Sequence, residues 1–102
     1  MLQGRIGQLD LSARRIIRAA SVFGLVFWRE GVRALLQAER STYDLSLGLR
    51  QLAQAELTTA RSEEEFGFRN ALIQEAAYSL LTEEDRRVGH RRAAEYLEQA
   101  GQ

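Results

Sequence analysis

The stretch LTTARSEEEFGFRN, residues 57–70, decides the fold of this chain. Residues 57–61 and 65–69 are two short runs rich in β-branched or aromatic side chains, and the polar residues 62–64 separate them. Two such runs around a polar turn predict a β-hairpin. Asn70 follows the hairpin directly. Asparagine is a preferred helix N-cap, so we expect a helix to begin there.

Upstream of the hairpin, three helices are predicted at about residues 13–23, 29–38 and 43–55. Each carries apolar residues at a helical spacing, such as i, i+4, i+7 for Leu45, Leu49 and Leu52, that places them on one helical face. Between the first two helices, the bulky residues 25–28 favour a short extended segment.

The chain contains no proline, so side-chain caps and glycines must mark its helix ends. Ser12 is expected to cap the first helix, and Gly24 to end it. Ser41 and Asp44 have the spacing of a capping box for the third helix.

Downstream, an apolar stripe predicts a fourth helix from Asn70 to Leu81, formed by Leu72, Ile73, Ala76, Ala77 and Leu80. Thr82 and Asp85 repeat the capping-box spacing and predict a last helix that ends before Gly101.

The predicted fold is mainly α with one small β-hairpin. Helix, helix, helix and hairpin is the order of a winged helix, in which three helices pack against a two-stranded wing. We expect residues 1–69 to form this core, with the wing at about 57–69, and residues 70–102 to form two helices that pack on it. The whole is expected to be one compact domain excised from a longer protein.

Composition excludes several classes of site. Lys+Arg and Asp+Glu are both 14, so the net charge of zero disfavours a general nucleic-acid or membrane-surface binder. The chain has no cysteine and a single histidine, His90, which excludes thiolate and multi-histidine metal centres. His90 shares a helical side with Ala93 and Leu97 and is expected to be a core histidine.

No apolar run approaches about 18 residues, and the N-terminal residues lack the pattern of a signal peptide. We therefore expect a cytoplasmic protein with no membrane partner.

Residues 65–101 resemble the segment that follows the ATPase module of many large bacterial signalling proteins. That segment reads Phe-x-Phe-x-His-Ala-Leu-Ile-x-Glu-x-x-Tyr, then Leu-Leu, then Arg, then Leu-His-Arg-x-x-Ala-x-x-Leu-Glu. The matching residues here are Phe66, Phe68, Arg69, Ala71, Leu72, Ile73, Glu75, Ala76, Tyr78, Leu80, Leu81, Arg86, His90, Arg91, Ala94, Leu97 and Glu98.

A second stretch is similar to the same proteins, in which a helix ending in Ala-Ala-x-x-Gly-x-x-Phe precedes the wing. Its matching residues are Arg5, Leu9, Leu11, Ser12, Ala19, Ala20, Val22, Gly24 and Phe27. The family is the signal transduction ATPases with numerous domains, the STAND group, which is also found behind Ser/Thr kinase, nucleotide cyclase and LuxR-type regulator modules.

The resemblance implies a domain that closes over a neighbouring nucleotide-binding domain and whose last helix leads into a helical repeat region. In the family, a histidine at the start of the helix after the wing contacts the ADP phosphate, and Asn70 occupies that position here, beside Arg69. A neutral asparagine can donate a hydrogen bond to phosphate but lacks the charge of an imidazolium. Asn70 is therefore either a plain helix cap or a cap that also contacts nucleotide.

The chain itself is not expected to be an enzyme. A phosphate-binding loop of the Walker type needs a lysine, and the sequence has none. We expect no cofactor in this chain and ATP or ADP in the longer protein, an ATPase with a possible kinase or cyclase domain.

Further interaction residues are predicted on other elements. Trp28 lies at a segment boundary, where a partly exposed aromatic would mark an interdomain or self-association contact, although a core role is the alternative. Glu75 could pair with an arginine of the last helix. Four arginines of the last helix form either a solvated face, partly paired with Glu83 and Glu84, or a contact with neighbouring domains. They are Arg86, Arg87, Arg91 and Arg92.

The first functional hypothesis is a non-catalytic regulatory module that packs against the nucleotide-binding domain and couples nucleotide state to assembly or output. A DNA-binding winged helix is the alternative, although Arg50 is the only base of residues 41–55 and the wing tip is Glu63–Glu65. A third reading is a structural homo-oligomer that pairs through uncovered apolar residues around Leu97 and Ala100.

Overall fold

A computed structural model describes residues 6–36 and 45–101 of the chain. These ranges are mainly helical, with five helices of at least eight residues and one small antiparallel sheet, in agreement with the predicted fold class. The elements are α1 (Leu11–Ser21), β1 (Val26–Trp28), α2 (Arg29–Leu36), α3 (Leu45–Gln54), β2 (Thr58–Ala60), β3 (Glu65–Phe68), α4 (Ala71–Ser79) and α5 (Glu83–Gln99).

Strands β2 and β3 form the predicted hairpin, with Thr58 opposite Phe68 and Ala60 opposite Phe66. The Ser62 hydroxyl closes the turn because it accepts a hydrogen bond from the backbone N–H of Glu65 at 2.9 Å. Such side-chain bonds to nearby backbone are the usual reason that serine favours turns.

The extended segment before α2 is a third strand of the same sheet, which the sequence did not predict. The strand order is β1-β3-β2, and Phe27 lies opposite Phe66. The Phe27 ring is fully buried, with ring centroids 5.7 Å from Phe66 and 5.3 Å from Phe68. Helix, strand, helix, helix, strand, strand with this sheet order is a winged-helix arrangement.

Helix α1 lies at the centre of the core and contacts α2, α3 and α4. Ile16 and Ile17 are fully buried on it. A Cβ atom at Gly48 of α3 would lie 2.2 Å from the Ile16 Cδ1, so only glycine lets the two helices approach this closely without rearrangement.

The predicted cap of α1 at Ser12 is wrong, because the helix begins two residues earlier than that serine implies. Asp10 is the N-cap, and its carboxylate accepts a hydrogen bond from the Ala13 N–H at 2.9 Å. This bond, followed by a hydrogen bond from the Gln51 side chain, lowers the pKa of Asp10 below its usual value. The helix ends at Ser21 with Val22 as its C-cap, two residues before the predicted end, and Gly24 follows with φ of +105°. The predicted box at Ser41 and Asp44 lies outside the described residues.

The two C-terminal helices pack on different helices of the core. Helix α4 contacts α1, where the Gln74 amide donates to the Ser21 carbonyl at 2.7 Å. Helix α5 contacts α2 and begins with the predicted capping box of Thr82 and Asp85. Contacts therefore run across the predicted boundary at residue 70.

His90 is not a core residue, so that prediction is wrong. The buried face of α5 is formed by Gly89 and Ala93, and the Cβ of an alanine at Gly89 would lie 3.1 Å from Val22. His90 is one residue, or about 100° of helical rotation, from Gly89 and is exposed. Its Nε2 hydrogen-bonds the Tyr78 hydroxyl at 2.8 Å.

Candidate functional site

The start of α4 is the first predicted site. Asn70 is its N-cap, as expected, and the Oδ1 atom accepts a hydrogen bond from the Ile73 N–H at 3.0 Å. The side chain is exposed, and its amide NH₂ group is a donor that the cap bond does not use. The cap role is therefore filled within the chain, and a nucleotide contact stays a prediction.

Leu72 and Arg69 flank the cap. Leu72 is 66% exposed although it belongs to the apolar stripe of α4, in which Ile73 and Ala77 are buried in the core and Ala76 packs against it. Arg69 is also exposed, while its backbone N–H donates to the Leu57 carbonyl at 3.1 Å. We call the exposed Arg69, Asn70 and Leu72 the α4 tip.

Trp28 is half-buried and packs against the core rather than standing free. Its ring lies edge-on to Phe23, with centroids 6.0 Å apart, and Phe23 makes the same kind of contact with Tyr96 of α5. Burial, with the nearby Glu64 and Glu30 carboxylates, raises the pKa of the Tyr96 hydroxyl. The three rings join β1, the end of α1 and α5.

The predicted arginines of α5 do not form one surface. The half-buried Arg86 lies over the Tyr78 ring, 4.5 Å from its centroid, and donates to the Tyr78 carbonyl at 3.3 Å. Arg87 pairs with Glu84, as predicted, and Arg91 is exposed. Arg86 therefore links α4 to α5, whereas Arg87 belongs to a solvated face.

Arg92 and Glu75 are placed differently again. The Arg92 guanidinium donates to the Leu35 carbonyl in the last turn of α2 at 3.1 Å. Cations favour helix C-termini because the last carbonyls there lack intrahelical partners. Glu75 is exposed, and within the described ranges no arginine lies at ion-pair distance from it.

The wing tip is tied to the second and third helices. The Glu64 carboxylate accepts from the Glu30 N–H at 3.0 Å and so caps the start of α2. Arg29 donates to the Glu63 carbonyl at 3.0 Å and to the Ser46 hydroxyl of α3 at 2.9 Å. A nucleic acid placed on this side would meet the wing-tip carboxylates, which repel phosphate.

Sequence reasoning missed a groove between α1, α2 and α5 with a volume of about 330 Å³. Its apolar lining residues are Ala19, Val22, Leu35, Leu36, Leu81 and Val88. Its polar lining residues are Arg15, Arg18, Asp85 and Arg92, and the remaining lining residue is Gly89. The arginine-rich stretches of the first and last helices were visible in the sequence, but nothing in it indicated that the two helices share a groove.

Within residues 6–36 and 45–101, no group of three potential metal ligands comes together. The same ranges contain no helix with the length and apolar character needed to cross a membrane.

Comparison with known proteins found no matching family model, no matching curated protein and no matching solved structure.

Proposed function

We propose that this chain is a non-catalytic regulatory module of a multidomain signalling ATPase. It packs through the α4 tip against a nucleotide-binding domain of the same polypeptide and couples the bound nucleotide to assembly or output. The ATP or ADP belongs to that neighbouring domain, which makes the cytoplasm the expected location. The residues that carry the contact are Arg69, Asn70 and Leu72.

The exposure of Leu72 is the observation that carries the proposal. A leucine that is 66% exposed beside a helix N-terminus gains from a partner surface. Full burial of a leucine contributes about 1.5–3 kcal/mol, so covering Leu72 contributes about 1–2 kcal/mol. An isolated exposed leucine is common, but this one adjoins two polar residues that can bind an anion.

Asn70 and Arg69 supply the polar half of the contact. Unpaired N–H groups and the helix dipole favour an anion at a helix N-terminus. The Asn70 amide and the Arg69 guanidinium are exposed donors at the same end of α4. A phosphate of a nucleotide held by the neighbouring domain has the charge and the acceptors that these groups suit.

The rate of ADP release from the multidomain protein tests this proposal. Asn70→Asp keeps a capping oxygen but replaces the amide donor with a negative charge, so ADP should leave faster. Asn70→His supplies a chargeable donor and should slow release. Leu72→Ala should speed release about tenfold, which corresponds to about 1.4 kcal/mol of lost domain contact.

Leu11→Ala is the matched control. Leu11 is 52% exposed on the first residue of α1, whereas α4 is bonded to Ser21 at the other end of that helix, about 15 Å away along the axis. It should leave ADP release unchanged. Docking through the α4 tip would be refuted if the two leucine substitutions changed the rate of ADP release equally. It would also be refuted if neither Asn70 variant changed that rate.

A further inference from the structure

The groove between α1, α2 and α5 has an apolar floor supplied by three elements. Ala19 on α1, Leu35 on α2 and Val88 on α5 are among its lining residues. Its volume of about 330 Å³ is at the low end of ligand pockets, which span about 300–1,000 Å³. A groove of this size accepts one or two large side chains and is too small for a whole helix.

The charges at the groove are unbalanced. Arg18 is half-buried and makes no ion pair with any described residue. Arg92 uses one N–H to bind the Leu35 carbonyl, which leaves its other donors available. Asp85, the acidic residue of the lining, is occupied because it accepts from the Thr82 N–H at 3.2 Å in the capping box.

We propose that this groove binds a segment of another protein in which a carboxylate adjoins a large apolar side chain. The apolar side chain enters between Leu35 and Val88, and the carboxylate pairs with Arg18 and Arg92. A guanidinium binds a carboxylate through two parallel hydrogen bonds, which fixes the orientation of the segment as well as its charge. This inference rests on the groove alone and is independent of the function proposed for the α4 tip.

A nucleic acid fits the groove less well. Binding to a phosphate backbone depends on many cations along a track, whereas the cations of this lining are the arginines Arg15, Arg18 and Arg92, with Asp85 beside them. Leu81 and Val88, which are half-buried in the lining, would lose water without gaining a partner if a sugar-phosphate chain lay over them. A leucine or phenylalanine side chain removes that apolar surface from water, so a protein segment is the better occupant.

The test is selection of peptides from a random twelve-residue library on the full chain, followed by affinity measurements on single variants. Selected peptides should pair Asp or Glu with Leu, Ile, Phe or Trp. Arg18→Gln should weaken their binding about tenfold, and Val88→Asp should abolish it. Arg91→Gln is the matched control, since Arg91 is an exposed arginine of α5 outside the groove lining, and it should change affinity less than twofold.

Charge reversal separates binding in the groove from loss of folding. Arg18→Glu combined with Arg92→Glu should lose the acidic peptide and bind the same peptide with its carboxylates replaced by lysines. Circular dichroism and the thermal midpoint of each variant show that it is folded before it is compared.

Four results would overturn the proposal. They are selected peptides without acidic residues, equal effects of Arg18→Gln and Arg91→Gln, tighter binding of an oligonucleotide that depends on Arg18, and self-association of the chain that Arg18→Gln abolishes. The last result would show that a second copy fills the groove.

Discussion

Replacement of Phe27 by alanine tests the part of the fold that joins β1 to the wing. The ring is fully buried and contacts Phe66 and Phe68 across the sheet. Loss of a buried phenylalanine costs about 3–5 kcal/mol, because both transfer free energy and cavity formation oppose folding. A chain of this size has a free energy of unfolding of about 5–15 kcal/mol, so the variant should lose a large share of its stability.

Urea denaturation followed by fluorescence measures this loss. Trp28 is the only tryptophan of the chain and lies next to Phe27 in β1, so its emission reports on this strand directly. With a urea dependence of about 2 kcal/mol per molar, a loss of about 4 kcal/mol moves the midpoint down by about 2 M. If the variant is unfolded without urea, Phe27→Leu gives a smaller and measurable loss of about 1–2 kcal/mol.

Leu25→Ala is the control, because Leu25 precedes the same strand and is 52% exposed. It should change the free energy of unfolding by less than about 1 kcal/mol. If Phe27→Ala were no more destabilising than this control, the role of the Phe27 ring in joining β1 to the wing would be wrong.

Three further substitutions test local features. Asn70→Ala should lower the free energy of unfolding by about 1 kcal/mol because the Ile73 N–H loses its cap, and chemical denaturation should find no such loss for Asn70→Asp. The folded pKa of Asp10 lies below its unfolded value of 3.8, so its contribution to stability is present above that pH and is lost as the pH falls through the folded pKa. Between pH 2 and 6 the free energy of unfolding should therefore fall less steeply with acid in Asp10→Asn than in the unchanged chain. Parallel curves for the two proteins would contradict this. Gly48→Ala should lower the free energy of unfolding by about 1–3 kcal/mol, because the added Cβ clashes with Ile16. Gly7→Ala is the control: its Cβ would meet nothing within 4 Å, so thermal unfolding should not show this loss.

Contacts between residues that are close in the sequence, such as helix caps, could be predicted well from the sequence. Asn70 capping α4, Thr82 and Asp85 closing the capping box of α5, and the Glu84–Arg87 pair are all as predicted. Each of these contacts joins residues three positions apart, so the spacing in the sequence already contains the geometry. The cap at Ser12 failed because Asp10, two residues earlier, is also a strong cap and takes the role.

Faces and partners could not be predicted in the same way. An apolar stripe ran along α4, yet Leu72 lies outside its buried face, and His90 lies beside the buried face of α5 instead of on it. The apolar face of such a helix is wider than the surface that a neighbouring helix covers, so the sequence does not show which edge of the face is buried. The arginines of α5 illustrate the same point, since Arg86 stacks on Tyr78 whereas Arg91 is exposed.

By itself, the sequence determined where the hairpin turns and where most of the helices begin, because those features depend on hydrogen bonds between near neighbours. Only the tertiary structure decided that β1 pairs with β3, about 40 residues away in the chain, and that α1, α2 and α5 enclose the groove. Those contacts follow from burying apolar surface, which is not directional and can be satisfied by many pairings of similar stripes. The packing of the whole chain selects one of them and so places Arg18 and Arg92 at a single groove.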